Sequence, residues 1–454
     1  MNRFIRLNIG AVAIATAAVT ILRADVPHVF AIKGARIVTV AGAPIPSGTV
    51  VVRNGLIEAV GADAAVPPTA TVIDGAGLSV YPGLIDMGNS TGVDVPAQTP
   101  PTFRTTAEAE RFRRSINFRP DLDAASHLRS DSPDLVRFTS AGITSVLATP
   151  PNGIFKGQSA LVNVAGPVDH PQVGDVGDYR EGLQVVRTPV ALHVDYNGAG
   201  GRGGYPVSLM GVISFVRQHF LDAQHQRMVQ DRYAKAANAG MTRPNYDASL
   251  DALKPALDGK LPVAFEANAA REIMRALDMA REFKLDPIVT GAGEAHEVAE
   301  DLKGRNARVI YNVNYPTRSR ALPPDADEAI SVLRARANAP KVPAALHKAG
   351  VTFAFSSAGL RDPRDFVRNV ARAVREGLPA DAAIRALTAD AAKIAGAGDR
   401  VGTIEKGRIA NLLVTEGDLF DNAMKVKHVF VDGRMVHVED APAPTSGRGG
   451  RGGQ

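Results

Sequence analysis

His193 and Asp195 are the first residues whose types and spacing could do chemistry, because they alternate at the end of a predicted strand over 190–194. Side chains two apart on a strand point to the same side, so an imidazole and a carboxylate can there share a proton or a metal ion. His296 follows Glu294 at the start of a predicted helix, where capping or exposure to solvent is the plainer role. His127, His170, His219, His225, His347, His428 and His437 show no ligand-like spacing. Ser356 and Ser357 end another predicted strand. A nucleophilic serine needs a positioned base, however, and the Gly-x-Ser-x-Gly turn is absent. The chain has no cysteine, which excludes thiolate chemistry and a disulfide framework. No Gly-x4-Gly-Lys-Ser/Thr loop offers a cradle for phosphates.

These residues need a frame to position them. Apolar strand candidates recur at 84–87, 143–148, 160–164, 190–194, 263–267, 287–290, 307–311 and 351–355. Helical patterns lie between many of them. The stretch 271–283 places Ile273, Met274, Leu277 and Ala280 on one face. In 362–374, Asp362 can cap, Pro363 suits the first turn, and Phe366, Val367 and Val370 form a buried stripe. Strands alternating with helices predict an α/β class with a parallel sheet, and about eight of them fit a (β/α)8 TIM barrel. The stretch 205–233 carries a further stripe of Leu209, Met210, Ile213, Val216, Phe220 and Leu221. Its simplest role is packing on the barrel's outer ring; the alternative is an interface.

On either side of this region the chain changes character. Residues 29–80 and 402–438 read as short strands, with Asn54-Gly55 and Asp432-Gly433 as hairpin turns whose residues accept positive φ. The flanks are expected to pair into a small discontinuous β-sandwich module. That divides the chain into 25–80 plus 400–440 for the module and 81–399 for the barrel.

Tyr81-Pro82-Gly83-Leu84-Ile85-Asp86 resembles the segment that opens the barrel in amidohydrolases, including imidazolonepropionase and dihydroorotase relatives. Leu387-Thr388 and residues 401–412 resemble that family's return into its β module. The resemblance runs from about Ile32 to Val436, and the stretch 205–211 looks like a subgroup of exported relatives, some with two such domains. It implies a (β/α)8 barrel and hydrolysis at zinc or another divalent ion, held at the barrel mouth by histidines and an aspartate. Here those slots differ. Gly88 and Ser90 stand where the family has His-x-His, and Glu266 and Asn268 stand at the next histidines. Residues 289–293 lack the further histidine, and Ser356, Ser357 and Ala358 occupy the end of the strand that would carry the aspartate. Glycine has no ligand atom and a neutral hydroxyl is a poor one, whereas a hydrolytic zinc needs good ligands plus one open position for water. With Glu266, the pair His193 and Asp195 would make a displaced set of one imidazole and two carboxylates. No catalytic or metal residue is therefore assigned, and Ser90, His193, Asp195, Glu266 and Asn268 are the candidate binding-pocket residues.

Arg3 and Arg6 precede an apolar stretch over 7–22, the pattern of a secretory signal peptide, here 1–24, which predicts a periplasmic or secreted protein. The 454 residues, 45% hydrophobic and 22% charged, can bury a large core. The net charge of +5 is spread along the chain, which favours a solvated mixed surface over a nucleic-acid partner. The Gly-rich loop 197–204 and the Gly/Arg tail 441–454 read as flexible and disordered linker sequence. Two functions follow. One is an exported amidohydrolase-family protein without the usual metal-dependent hydrolysis and with no cofactor. It would bind a small-molecule ligand or act as a partner subunit, as a homodimer or as a heterodimer with a metal-competent relative. The other is a hydrolase of C–N bonds in a cyclic amide or small peptide, using displaced ligands.

Overall fold

The computed structural model describes residues 29–438 except 91, 130–133, 166–181, 197–204, 236–239, 320 and 324. The expected signal segment 1–24, the Gly-rich stretch 197–204 and the tail 441–454 lie outside the described residues. The first flank forms β1 (Val29–Ile37), β2 (Ile45–Arg53), β3 (Leu56–Gly61), β4 (Thr71–Asp74) and β5 (Leu78–Pro82). The middle supplies β6 (Leu84–Asn89), β7 (Ile143–Ala148), β8 (Phe155–Gln158), β9 (Ala160–Ala165) and β10 (Gly182–Arg187). It continues with β11 (Leu192–Asp195), β12 (Val263–Ala267), β13 (Pro287–Gly291), β14 (Arg308–Asn312) and β15 (Phe353–Ser356). The last flank forms β16 (Leu412–Glu416), β17 (Lys425–Val431) and β18 (Arg434–Val436).

The flanks do pair. Asn54 and Gly55 take φ of 49° and 83°, and Asp432 and Gly433 take 50° and 74°, so both expected hairpins turn through the left-handed region. β16 then pairs antiparallel with β5, which joins the two ends of the chain. The result is one eight-stranded sheet in the order β18-β17-β16-β5-β1-β2-β3, with β4 on β1. The β5–β16 ladder makes the flanks one continuous sheet, and this pairing does not show the two stacked layers of the expected sandwich.

Every strand expected in the middle exists, but one runs the other way. β6 and β7 pair in parallel, as do β11 through β15 in succession. β9 lies antiparallel on β7, because the chain returns from β7 through β8 with no crossover helix to reverse its direction. The two sheets run in the orders β10-β9-β7-β6 and β15-β14-β13-β12-β11-β8. The fold is mixed α/β, and among the described residues its ladders do not join into one ring.

Alternation along these strands separates two apolar layers. Ile85, Met87, Leu147, Ala264, Ile288, Ile310 and Ala354 form one buried cluster on a shared side of the strands. The opposite side packs against helices. Ala270–Phe283 buries Ile273, Ala276, Leu277, Met279, Ala280 and Phe283, each larger side chain contributing about 2 kcal/mol. Arg364–Arg375 buries Phe366, Val367 and Val370, and the Asp362 carboxylate accepts the Arg364 amide at 3.0 Å, as its capping role requires. Helix Leu209–Lys235 buries Ile213, Val216 and Phe220 of the expected stripe, while Met210 and Leu221 face solvent.

A buried polar network ties the flank sheet to the middle. Ser145 Oγ and Asn411 Nδ2 both donate to Asn163 Oδ1 at 2.8 Å, and Asn163 Nδ2 donates to Asp432 Oδ1 at 2.7 Å. Networks of this kind hold the elements they join in register.

Candidate ligand site at the strand ends

The parallel strands finish on one side, where chemistry in such sheets is usually placed, with Asn89, Asp195, Ala267, Gly291, Asn312 and Ser356, and Glu266 lies one residue before the end of β12. Register fixes who faces whom. Asp195 pairs with Glu266 and His193 with Ala264, so His193, Asp195 and Glu266 lie on the side of the strands that carries the buried Ala264 and Ile288. The alternation read from the sequence thus places all three on one side. It does not make them one cluster.

Lys156 of β8 stands between the two carboxylates. Its Nζ donates to Glu266 Oε2 at 2.6 Å and lies 3.2 Å from Asp195 Oδ2. The Lys156 and Asp195 side chains are 13% and 12% exposed, and Glu266 is 38% exposed, so the ion triplet sits at the rim with its inner part shielded from water. Burial would lower the lysine pKa, but the charges of Glu266 and then Asp195 outweigh it and hold the ammonium above its ordinary value. His193 turns away, its Nε2 2.9 Å from Ser159 Oγ. Burial, helped by the Lys156 charge, pulls its pKa down to about 3, so the imidazole is neutral at physiological pH.

The other side of the mouth is closed by hydrogen bonds between β6 and β15. Asp86 is fully buried and accepts the Ser357 hydroxyl at 2.5 Å and the Ser357 amide at 2.8 Å. Asn89 Nδ2 donates to the same hydroxyl at 2.8 Å. Burial raises the Asp86 pKa to about 6, with the Ser357 bonds opposing the rise. Ser356 Oγ donates to the Gly88 carbonyl at 2.8 Å.

Two glycines show how little room is left where ligands would stand. A Cβ on Gly88 would meet Ser356 Oγ at 2.9 Å. Gly291 has φ +83°, and a Cβ there would meet Asn268 Oδ1 at 2.5 Å, so side chains from neighbouring strands already fill both positions. Ser90 lies beyond the end of β6 and is exposed, as is Asn268. Ala358 contributes its carbonyl to Asn312 Nδ2 at 3.1 Å.

These residues do not fit a hydrolytic metal. Among the described residues no group of three or more His, Asp or Glu side chains is arranged to hold an ion. Asp195 and Glu266 already bind an ammonium, and His193 is engaged by Ser159. The arrangement offers instead a charged rim beside amides and hydroxyls, Asn89, Asn312 and Ser356, that are bonded among the strand ends themselves. Sequence reasoning missed Lys156 and the Asp86–Ser357 pair. Lys156 alternates between Phe155 and Gly157 and so shares a side with His193 only through pairing of β8 with β11. Asp86 lies within the segment 81–86, and no spacing in the sequence marks it as a buried partner of Ser357.

An open cavity lies elsewhere. It measures about 750 Å³ and is lined by residues of helix Arg364–Arg375 and of the flank sheet, including Val367, Arg368, Phe420 and Lys427. None of the candidate site residues borders it.

Comparison with known proteins bears on the fold and family. Residues 283–436 match the model of the amidohydrolase family. The amidohydrolase tasK of Hapsidospora irregularis is 25% identical over 403 residues, which cover 85% of this chain and 39% of that protein. The chain therefore spans about two-fifths of the length of that relative. Among solved structures, an amidohydrolase from Thermotoga maritima MSB8 superposes with a TM-score of 0.72 at 22% identity, covering 90% of this chain and all of that one. A prolidase complexed with N-methylphosphonate-L-proline gives a TM-score of 0.55 at 18% identity, again over 90% of this chain and all of that one.

Proposed function

Because this chain belongs to the amidohydrolase superfamily, we propose that it is a metal-free member of it, one that binds a small polar ligand at its strand ends instead of hydrolysing it. The observation that carries this reading is steric and electrostatic at once. Ser356 and Asn268 fill the space beside Gly88 and Gly291, and the Lys156 ammonium takes the carboxylates that remain. A metal-bound hydroxide is the nucleophile of hydrolysis in such sites, so losing its ligands removes the attacking group itself. In this reading the two sheets of the middle region are parts of a (β/α)8 barrel over 81–399, with the flanks as its β module. The protein is exported by 1–24 to the periplasm or beyond, and it acts alone or paired with a metal-competent relative.

The second reading is a hydrolase of C–N bonds in a cyclic amide or small peptide. It is favoured by family membership and by two carboxylates at strand ends, where displaced catalytic groups would stand. Turnover of a panel of cyclic amides and Xaa-Pro dipeptides, with and without added zinc or manganese, separates the two. The first reading expects no rate above the buffer blank. Metal-dependent turnover abolished by Asp195→Asn would establish the second.

A further inference from the structure

We infer that the open cavity between helix Arg364–Arg375 and the flank sheet is a second binding site, built for a single-chain anionic amphiphile of the fatty-acid type. It is independent of the strand-end site, none of whose candidate residues borders this cavity. Its volume of about 750 Å³ falls within the range of about 300–1,000 Å³ usual for small-molecule pockets. One wall is the helix. Arg364, Arg368 and Arg375 stand at i, i+4 and i+11, which places them on one face, with Val367 and Ala371 beside them. The other wall is β17 with the loop before it, which contributes Met424, Lys425, Val426 and Lys427. Burial separates the two kinds of side chain. Val367 and Ala371 are buried, and Met424, Val426 and Val438 are half-buried, whereas Arg368, Arg375, Lys425 and Lys427 are exposed. Cations thus rim an apolar floor from both walls.

The rim selects the head group. Asp421 is the one carboxylate in the lining, and it accepts the Asp418 amide at 3.3 Å. Arg364 is held by Asp362 at 3.0 Å, which leaves the other cations for a ligand. Arg368 meets Asp365 at 3.1 Å and Lys427 meets Glu416 at 3.0 Å, with all four side chains 44% or more exposed. Exposed pairs of this kind contribute little and exchange readily for another anion. Arg375 and Lys425 form no ion pair among the described residues. The walls select the body of the ligand. β17 is hydrogen-bonded to β16 along one edge and to β18 along the other, so it has no free edge to pair with a peptide. A peptide laid on the floor would leave its amides unpaired, whereas an alkyl chain has none to satisfy.

The test is calorimetric titration of the purified full chain with decanoate below its micellar concentration. Decyltrimethylammonium and decanol, which share the alkyl chain and lack the negative charge, are the controls. The expected result is one decanoate per chain, bound about tenfold or more tighter than either control. Each methylene added between octanoate and decanoate should tighten binding by about threefold. Arg375→Gln with Lys425→Gln, both at exposed positions, should weaken decanoate by about tenfold and leave decyltrimethylammonium unchanged. Equal affinity for all the decyl probes, or unchanged decanoate binding in the double variant, overturns the inference. Binding of phosphatidylglycerol vesicles without binding of monomeric decanoate would give this face to a membrane and overturn it as well. Should the double variant not fold, the comparison of head groups on the wild-type chain decides.

Discussion

The two sides of the strand mouth are closed by different means. Between β6 and β15, closure is by size and by hydrogen bonding: Ser356 against Gly88, and Ser357 on a buried Asp86. Between β8, β11 and β12 it is by charge, with Lys156 between Asp195 and Glu266. In the metal-free reading, the difference teaches that a pocket can be closed to a metal in two ways, by filling the space for a ligand or by occupying a ligand with a charge. A filled space is expected to resist repair by single substitutions. Closure by charge depends on Lys156.

The largest effect should come from forcing ligands back into the filled side. Gly88→His with Gly291→His puts one side chain against Ser356 and another at φ +83° against Asn268. Strain and overpacking together should cost about 4 kcal/mol, read as a lowered urea midpoint. Even the wider set Gly88→His, Ser90→His, Glu266→His and Ala358→Asp should bind zinc weakly at best, because the groups that would orient new ligands are absent. Tight zinc binding by that variant would show that the filled side is still arranged for metal.

Deleting the cation on the other side should cost somewhat less. Lys156→Ala leaves two carboxylates facing each other. Removing one partner of a shielded ion pair costs several kcal/mol, reduced here to about 3 kcal/mol because Glu266 is 38% exposed. Unchanged stability would mean the ion triplet is a surface contact and the comparison fails.

Next comes pH, where the two sides have opposite signs. His193 is held near 3 against an unfolded value near 6.5, so its contribution is complete above about 6.5 and is lost as pH falls toward 3. Asp86 is held near 6 against about 3.9 when unfolded, so the folded state loses stability as pH rises from about 4 to 6. Between those limits the two nearly cancel. Asp86→Asn should therefore steepen the acid loss of stability from pH 6 to pH 4 by about 2 kcal/mol relative to wild type, and His193→Gln should reduce it by a similar amount. Parallel pH profiles for the three proteins would contradict both assignments.

The smallest effect is Ser357→Ala, which removes one short bond to Asp86 and should cost about 1 kcal/mol, with a further rise in the Asp86 pKa visible in the same profile.

Much of the frame was legible in the sequence because it depends on local pattern. The apolar runs at 263–267 and 287–290 became β12 and β13, and Asn54-Gly55 and Asp432-Gly433 turned as their positive φ allows. The direction of β9 was not legible, since alternation reads the same in a parallel and an antiparallel strand. Ser90 was placed by the resemblance to a His-x-His strand end, whereas β6 ends at Asn89. His193, Asp195 and Glu266 were found as residues on one side of a sheet, but what separates them was not. Lys156 sits on a four-residue strand remote in sequence from Glu266, and only the β8–β11 and β11–β12 ladders bring it there. The filled space beside Gly291 depends in the same way on the Asn268 side chain from the neighbouring strand end.

The most direct measurement of the central claim is metal stoichiometry in the wild-type protein. After mild chelation, the purified chain would be equilibrated with zinc and with manganese, desalted, and assayed for both elements. The account predicts far less than one ion per chain, with no change on Asp195→Asn. One ion per chain that disappears in Asp195→Asn would contradict it, because Asp195 would then be ligating a metal and not the Lys156 ammonium.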